Sequence, residues 1–156
     1  MKSTHSSSFT FSWYATIFCV AFALNLIWEN LQMQLYGGYR HFTIFGVGCF
    51  LATLWDALFI TTLYVAVAIM SKDMLWMVRM SMRQRIMVLL LGLVFAILYE
   101  KYALSVERYY YTEAMPIIPL LDVWLTPIIQ MLLLSLVTYH ITRSIVLRQG
   151  RIQSKV

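Results

Sequence analysis

Four long apolar stretches constrain this sequence more than any other feature. They cover residues 11–35, 45–70, 86–104 and 117–141, and each comes close to the roughly 20 residues that a helix needs to cross the hydrocarbon of a bilayer. The chain is 61% hydrophobic and 12% charged, which leaves too little polar surface to cover a soluble core. The sequence therefore predicts an all-α fold, a four-transmembrane-helix bundle in which residues 1–156 form a single transmembrane domain.

The basic residues predict how the bundle is oriented. Most Lys and Arg residues fall near the N-terminus, in the second connection and in the C-terminal tail, whereas the first and third connections hold Arg40, Lys101 and Arg108. Positive residues are retained on the cytoplasmic side during insertion, so both termini are expected in the cytoplasm. The net charge of +5 then reflects the flanks of membrane spans, and a nucleic-acid partner is not expected.

The N-terminal stretch has a second interpretation as a cleaved signal peptide. Lys2 precedes an apolar run that reaches the small-residue motif AFA at 21–23, as in many signal sequences. The run continues without a turn signal into LIW at 26–28. This continuity favours a first membrane span over a cleaved leader.

The first stretch carries four polar residues at helical spacing: Asn25, Glu29, Gln32 and Tyr36. The i, i+4, i+7, i+11 pattern places them on one face of a helix. An acidic side chain at the centre of a span costs about 2.5–3.5 kcal/mol on insertion scales. The face that holds Glu29 is therefore expected to turn toward the bundle interior or a wet cavity.

Each predicted span carries one carboxylate, which gives four candidate catalytic residues: Glu29, Asp56, Glu100 and Asp122. Successive helices run in opposite directions across the membrane. Carboxylates on the four spans therefore share a depth only if they come late in the first and third spans and early in the second and fourth. The four acids follow this order. We expect all four to meet around a pocket in the outer half of the bilayer, open to the periplasm. Carboxylates this close cannot all stay ionised, which leaves a shared proton, a bound cation, or neutralisation by Arg108 or Lys101.

Amide, aromatic and basic side chains near the acids are candidates for substrate binding. They are Asn25, Trp28, Gln32, Trp55, Tyr99, Arg108, Tyr111, Trp124 and Gln130. Aromatic rings stabilise a cationic ligand or a carbocation-like state, but Trp and Tyr also anchor helix ends at the interface, and amides also join helices by hydrogen bonds. The three histidines show no i, i+4 pairing, so no metal site is expected, and no cofactor motif is present.

The polar motifs resemble those of a family of small bacterial four-helix membrane proteins. The matching pattern is NLIWENLQMQLY at 25–36, the acid Asp56, YEK at 99–101, YYTEAMPIIP at 110–119 and TPIIQ at 126–130. The resemblance covers most of the chain and implies a bundle in the bacterial inner membrane, but it brings no established activity. This chain has Trp55 where the family tends to have Gly, which changes the expected shape of the pocket.

A shorter stretch is similar to the integral-membrane terpene cyclases of fungal meroterpenoid pathways. Asn25, Trp28 and Glu29 match the N-x-x-W-E motif that supplies a catalytic acid within a helix of those larger enzymes. The similarity implies acid chemistry at Glu29, and it does not extend to the rest of the chain.

Three functions are compatible with these residues. The first is acid/base chemistry on a lipid or isoprenoid-like amphiphile from the outer leaflet, because a buried protonated carboxyl is an effective general acid. The second is a proton-coupled small transporter or cation-binding protein acting as a homodimer, which would have to reach its acid from both sides. The third is an assembly subunit of a larger membrane complex, whose polar stripe would dock a partner helix.

Overall fold

The structure is a computed structural model that describes residues 4–37, 46–107 and 110–153. Its elements in chain order are α1 (Thr4–Gln32), a 3-10 turn (Met33–Leu35), β1 (Tyr36–Gly37), α2 (Val47–Ser71), α3 (Trp76–Arg79), α4 (Met82–Ser105), β2 (Tyr110–Tyr111), β3 (Ile117–Ile118), β4 (Val123–Trp124) and α5 (Leu125–Gln153). The long helices α1, α2, α4 and α5 form the bundle. The predicted all-α four-helix fold is therefore confirmed.

Each long helix contains a stretch that is apolar and long enough to cross a membrane. These stretches are Trp13–Leu35, Val47–Ser71, Met82–Ser105 and Leu125–Arg148. The predicted bounds agree to within a few residues for the first three spans. The predicted start of the fourth span, at residue 117, is wrong because the helix begins only at Leu125.

Residues 110–124 form short strands in place of the first turns of that predicted helix. β3 pairs antiparallel with β4, and the chain turns between them through Asp122 at a φ of 51°, a left-handed conformation that cannot continue a helix. β2 pairs with β1 in the register Tyr36 to Tyr111. Tyr36 therefore lies in a strand, so its predicted place on the helical stripe is wrong. We call this side of the bundle the hairpin end.

The opposite side of the bundle is closed by α3, and we call it the plug end. Trp76 and Met77 are fully buried, because the short helix turns both side chains into the bundle. The indole Nε1 of Trp76 donates a hydrogen bond to the carbonyl oxygen of Tyr64 at 3.2 Å, and Arg143 Nε donates to the carbonyl of Val78 at 2.8 Å. The connection between α2 and α4 thus inserts side chains that fill the core at the plug end.

The helices pack along stripes that repeat every three or four residues. On α1 the buried residues are Trp13, Ile17, Ala21, Asn25, Glu29 and Gln32. On α4 they are Val88, Gly92, Ala96, Glu100 and Ala103, mostly small residues that let neighbouring helices approach closely. α1 packs against α2 and α5, and α4 packs against α5. The remaining neighbours, α2 and α4, flank the cleft described below.

Candidate functional site

The side-chain amide of Gln130 on α5 lies at the centre of a buried polar network. Its Nε2 is 2.8 Å from Glu29 Oε1, 2.8 Å from Asp56 Oδ2 and 3.0 Å from Asn25 Oδ1. One nitrogen thus contacts polar groups from α1 and α2, although Gln130 lies 74 to 105 residues further along the chain. The predicted convergence of polar groups from separate spans holds for these residues.

Glu29 and Asp56 are the two carboxyls that this network brings together. Both accept a hydrogen bond of 2.8 Å from the same nitrogen, Gln130 Nε2, so their oxygens lie close to one another. Glu29 is 4% exposed, whereas Asp56 is only partly buried. The two acids therefore form a pair on one amide, and Asp56 is its more accessible member.

Three further residues of α1 support the acid pair from behind. Gln32 Nε2 donates to Glu29 Oε1 at 2.9 Å and to Gln130 Oε1 at 3.0 Å, and its own Oε1 accepts a bond of 2.9 Å from Trp28 Nε1. Asn25 is anchored through its Nδ2, which donates to the carbonyl of Ala21 at 2.8 Å. Asn25, Trp28 and Gln32 therefore orient the acids and lie outside the lining of the cleft.

A cleft of about 650 Å³ opens beside the acid pair. It is lined by Glu29, Gly48, Leu51, Ala52, Trp55, Asp56, Leu58, Phe59, Thr62, Phe95, Ala96, Tyr99, Glu100, Pro127, Gln130 and Met131. The volume is that of an ordinary small-molecule site, and a few polar groups converge in a mainly apolar wall, as such sites require. Of the predicted residues, Glu29, Asp56, Glu100, Trp55, Tyr99 and Gln130 share this cleft.

Glu100 contributes a third carboxyl to the cleft wall. It is 1% exposed and lies on the buried stripe of α4, one turn from Ala96. Within the described residues no three His, Cys, Asp or Glu side chains are grouped so that they could hold a metal ion. The acids therefore divide into a pair joined by Gln130 and a third carboxyl on the facing helix.

The expectation that four acids meet is wrong for Asp122. This residue is exposed in the turn between β3 and β4, because the chain has not yet entered α5 there. Trp124 lies in β4 and is not part of the cleft lining. Tyr111 lies in β2 at the hairpin end, and Arg108 falls outside the described residues.

Several cleft residues are absent from the sequence-based candidates. The rings of Phe59 on α2 and Phe95 on α4 stack face to face with centroids 3.8 Å apart and an interplanar angle of 15°, so the two helices are in contact at that depth. Ala52 and Ala96 each lie one helical turn from an acid, so helical spacing from Asp56 and Glu100 was a usable signal. The aromatic pair gave no such signal, because Phe is equally common where a helix faces lipid.

Aromatic side chains pack the described core between the plug end and the acids. Trp76 stacks on Tyr64 with ring centroids 5.3 Å apart and meets Tyr139 edge to face at 5.2 Å. Tyr139 donates a hydrogen bond of 2.7 Å to the carbonyl of Ile60, one turn from Asp56. The carboxyl pair thus borders the cleft on one side and tightly packed aromatic side chains on the side of the plug.

The chain matches no family model, no curated protein and no solved structure. The resemblance to bacterial four-helix membrane proteins and to terpene cyclases therefore stays a prediction. The fold and the cleft define a class, an integral membrane helical bundle with an intramembrane carboxyl site, and its function has to be argued from the site itself.

Proposed function

We propose that the protein is an intramembrane acid/base enzyme that isomerises or cyclises an unsaturated, isoprenoid-like amphiphile. The observation that carries the proposal is the pairing of Glu29 and Asp56 on the single amide nitrogen of Gln130 at the wall of an apolar cleft. A general acid and its conjugate base in contact can give a proton to a substrate and recover it without any cofactor.

Asp56 is assigned as the proton donor and Glu29 as the base. Glu29 Oε1 accepts hydrogen bonds from both Gln32 and Gln130, and donors of this kind stabilise the ionised form of a carboxyl. Asp56 has the more exposed position in the cleft. Protonation breaks the O–H bond of Asp56, opens a carbon–carbon double bond and forms a C–H bond, which leaves a cationic carbon on the substrate.

The carboxyls of Glu29 and Asp56 also complete the proposed catalytic cycle. A C–H bond next to the cationic carbon breaks, its electrons form a new double bond, and the proton passes to the Glu29 carboxylate. Transfer between the two neighbouring carboxyls returns it to Asp56. Substrate and product have the same composition, and the proton in the product comes from water that has exchanged with the pair.

The aromatic wall of the cleft suits a positively charged intermediate. Trp55, Phe59, Phe95 and Tyr99 line the cleft, and the face of an aromatic ring attracts a cation when water is excluded. The carboxyl of Glu100 also lines the cleft, from the facing helix α4. These groups would stabilise developing positive charge, which is the main electrostatic task in such a reaction.

A one-sided site favours an enzyme over the transporter alternative. A transporter must open its acid to both faces of the membrane in turn, whereas Trp76, Tyr64 and Tyr139 pack the route toward the plug end. The assembly-subunit alternative requires acids that lack internal partners, but Glu29 and Asp56 bond within the bundle. A dimer is not needed to complete the cleft, which the helices of one chain enclose.

The test uses the full chain in phosphatidylcholine vesicles prepared in heavy water, with geranylgeraniol and geranylgeranylamine as probes. We expect an isomeric product that carries one deuterium. Asp56→Asn and Glu29→Gln should each lower its rate by about a hundredfold or more. Asp122→Asn is the matched control, because it makes the same change in an exposed turn outside the cleft, and its rate should not change.

Two results would overturn the proposal. The first is that neither probe acquires deuterium beyond the level in protein-free vesicles. The second is that Asp56→Asn and Glu29→Gln both retain the rate of the unmodified chain. Elution of each variant as a single species on size exclusion separates a lost proton transfer from a lost fold.

A further inference from the structure

The cleft opens sideways, on the flank of the bundle that faces the bilayer. Its rim is formed by apolar side chains that are well exposed although they line the cavity, and the clearest are Trp55, Leu51 and Leu58, which are 59%, 46% and 43% exposed. Phe95 forms the opposite rim on α4. A mouth bordered by such residues is in contact with acyl chains, so its occupant arrives from the membrane and not from water.

Apolar lining extends to both sides of Asp56. Along α2 the lining runs from Gly48 to Thr62, about 21 Å at 1.5 Å per residue. Asp56 lies close to the middle of this run, with Leu51 and Ala52 on its hairpin side and Leu58 and Phe59 on its plug side. An amphiphile whose head reaches Asp56 therefore finds apolar lining for its chain.

The charges in the lining determine which head groups fit. Three carboxyl groups line the cleft, whereas none of the described lining residues is Lys, Arg or His. An anionic head would lose its hydration here and face Glu29, Asp56 or Glu100 without a counter-charge, which is costly in a poorly solvated site. A phosphate, sulfate or carboxylate head is therefore excluded by charge.

The hydrogen-bond donors and acceptors in the cleft favour a ligand whose head group donates a hydrogen bond. Gln130 Nε2 carries two hydrogens but lies within bonding distance of three acceptors, on Asn25, Glu29 and Asp56. At least one acceptor must share a hydrogen, and Asp56 is the one that the cleft partly exposes. A hydroxyl or ammonium group at this position supplies the additional donor.

We propose that the cleft takes up, through its lipid-facing mouth on the hairpin side of the Phe59–Phe95 stack, a single-chain amphiphile whose head donates hydrogen bonds and carries no negative charge. This substrate class rests on the proposed acid/base function of the same cleft. The alkyl alcohol and alkylamine heads share the required chemistry, and the experiment compares both with an anionic head.

The experiment is photo-crosslinking of the full chain in phosphatidylcholine vesicles. The probes are hexadecanol, hexadecylamine and hexadecyl sulfate, each with a diazirine in the chain, and adducts are located by mass spectrometry. We expect the alcohol and the amine each to label the α2 and α4 lining about tenfold or more above the sulfate. The exposed Leu98, outside the lining, should be labelled equally by all three.

A cleft-filling variant tests where the alkyl chain of the probe lies. Ala52→Phe places a ring in the lining between Gly48 and Asp56, and it should reduce labelling of the facing α4 residues severalfold. Ala23→Phe, which makes the same change at an exposed position of α1 outside the lining, should leave that labelling unchanged. If Ala52→Phe does not elute as a folded species, displacement of the amine label by excess geranylgeraniol in the unmodified chain decides the same point.

The results separate this inference from the proposed reaction. Equal labelling of the cleft by the sulfate and the amine, or no displacement by geranylgeraniol, would overturn the inference even if deuterium transfer occurs. Selective labelling without deuterium transfer would support the ligand class and contradict the reaction. Loss of deuterium transfer in Asp56→Asn with labelling retained supports both.

Discussion

At the scale of single residues, Gln130 explains how two acids are held together in a membrane. Its one amide contacts Asn25, Glu29 and Asp56, and its carbonyl accepts a bond from Gln32. Buried polar groups without partners are costly, so the acids are tolerated because this amide satisfies them. Gln130 is therefore a positioning residue for the acid pair as well as part of the cleft wall.

Replacing Gln130 by Met tests this role, since Met has similar length and no N–H. We expect the free energy of unfolding to fall by about 1–3 kcal/mol, toward the lower end because hydrogen bonds between membrane helices contribute modestly, and deuterium transfer to be lost. SDS-induced unfolding measures the first effect. Ile129→Met, at a partly exposed neighbouring position, is the control. Equal stability of the two variants would contradict the role given to Gln130.

Helical spacing was sufficient to predict part of the site at this scale. Asn25, Glu29 and Gln32 were placed on one face by period alone, and all three are buried as predicted. The partners of an acid were less predictable, because the sequence does not specify which side chain from another helix reaches it. The prediction that Asp122 joins the other acids was wrong for a different reason, because Asp122 lies in a turn that precedes α5.

At the scale of elements, α3 is the least expected feature. Residues 76–79 lie in a basic connection that predicts a surface segment, yet Trp76 is 0% exposed. The ring is held by Tyr64 and Tyr139, and the hydroxyl of Tyr64 in turn donates to the carbonyl of Met74. A large apolar ring at a helix connection fills the gap that diverging helices leave, which hydropathy alone does not predict.

We expect Trp76→Ala to destabilise the bundle by about 3–5 kcal/mol, the usual cost of removing a buried Trp. The loss includes both ring contacts and the hydrogen bond to Tyr64. Leu75→Ala serves as the matched variant, because Leu75 is half exposed in the same connection and should cost much less. Unfolding in SDS compares the two variants, and similar midpoints would contradict a structural role for α3 as a plug.

The hairpin shows why the fourth span was predicted to start too early. Residues 117–124 are nearly as apolar as a membrane-spanning helix. They follow Pro116, and proline is common at the start of a helix. The second proline, Pro119, and the left-handed Asp122 instead favour a turn between two short strands. Composition sets the polarity of such a segment, but local backbone geometry decides between helix and strand.

At the scale of the whole molecule, the sequence predicted the depth of the acids along the bundle but not which helices are neighbours. A fixed helical rise puts Glu29, Asp56 and Glu100 in the same half of the bundle, as predicted. The sequence did not indicate that α2 and α4 would be the pair separated by a cleft, because that depends on which helices pack most closely. The position of the site along the membrane normal follows from the sequence, while its lateral opening follows only from packing.

The orientation of the bundle determines which leaflet supplies the ligand, and the described surface carries a clear asymmetry. Lys72, Arg79, Arg83 and Arg85 are exposed near the plug end, whereas Glu107, Glu113 and Asp122 are exposed at the hairpin end. Basic residues stay in the cytoplasm during insertion. The hairpin end is therefore predicted to face outward, which agrees with two cytoplasmic termini.

Cysteine labelling in intact cells checks this prediction directly. In a chain with Cys19→Ala and Cys49→Ala, a single cysteine is introduced by Glu113→Cys at the hairpin end or by Asp73→Cys near the plug end, both at exposed positions. We expect a membrane-impermeant maleimide to label Glu113→Cys in intact cells and Asp73→Cys only after lysis, because the reagent cannot cross the membrane to the basic side. The reverse pattern would place the cleft in the cytoplasmic leaflet, and the ligand would then have to come from the inner lipid layer.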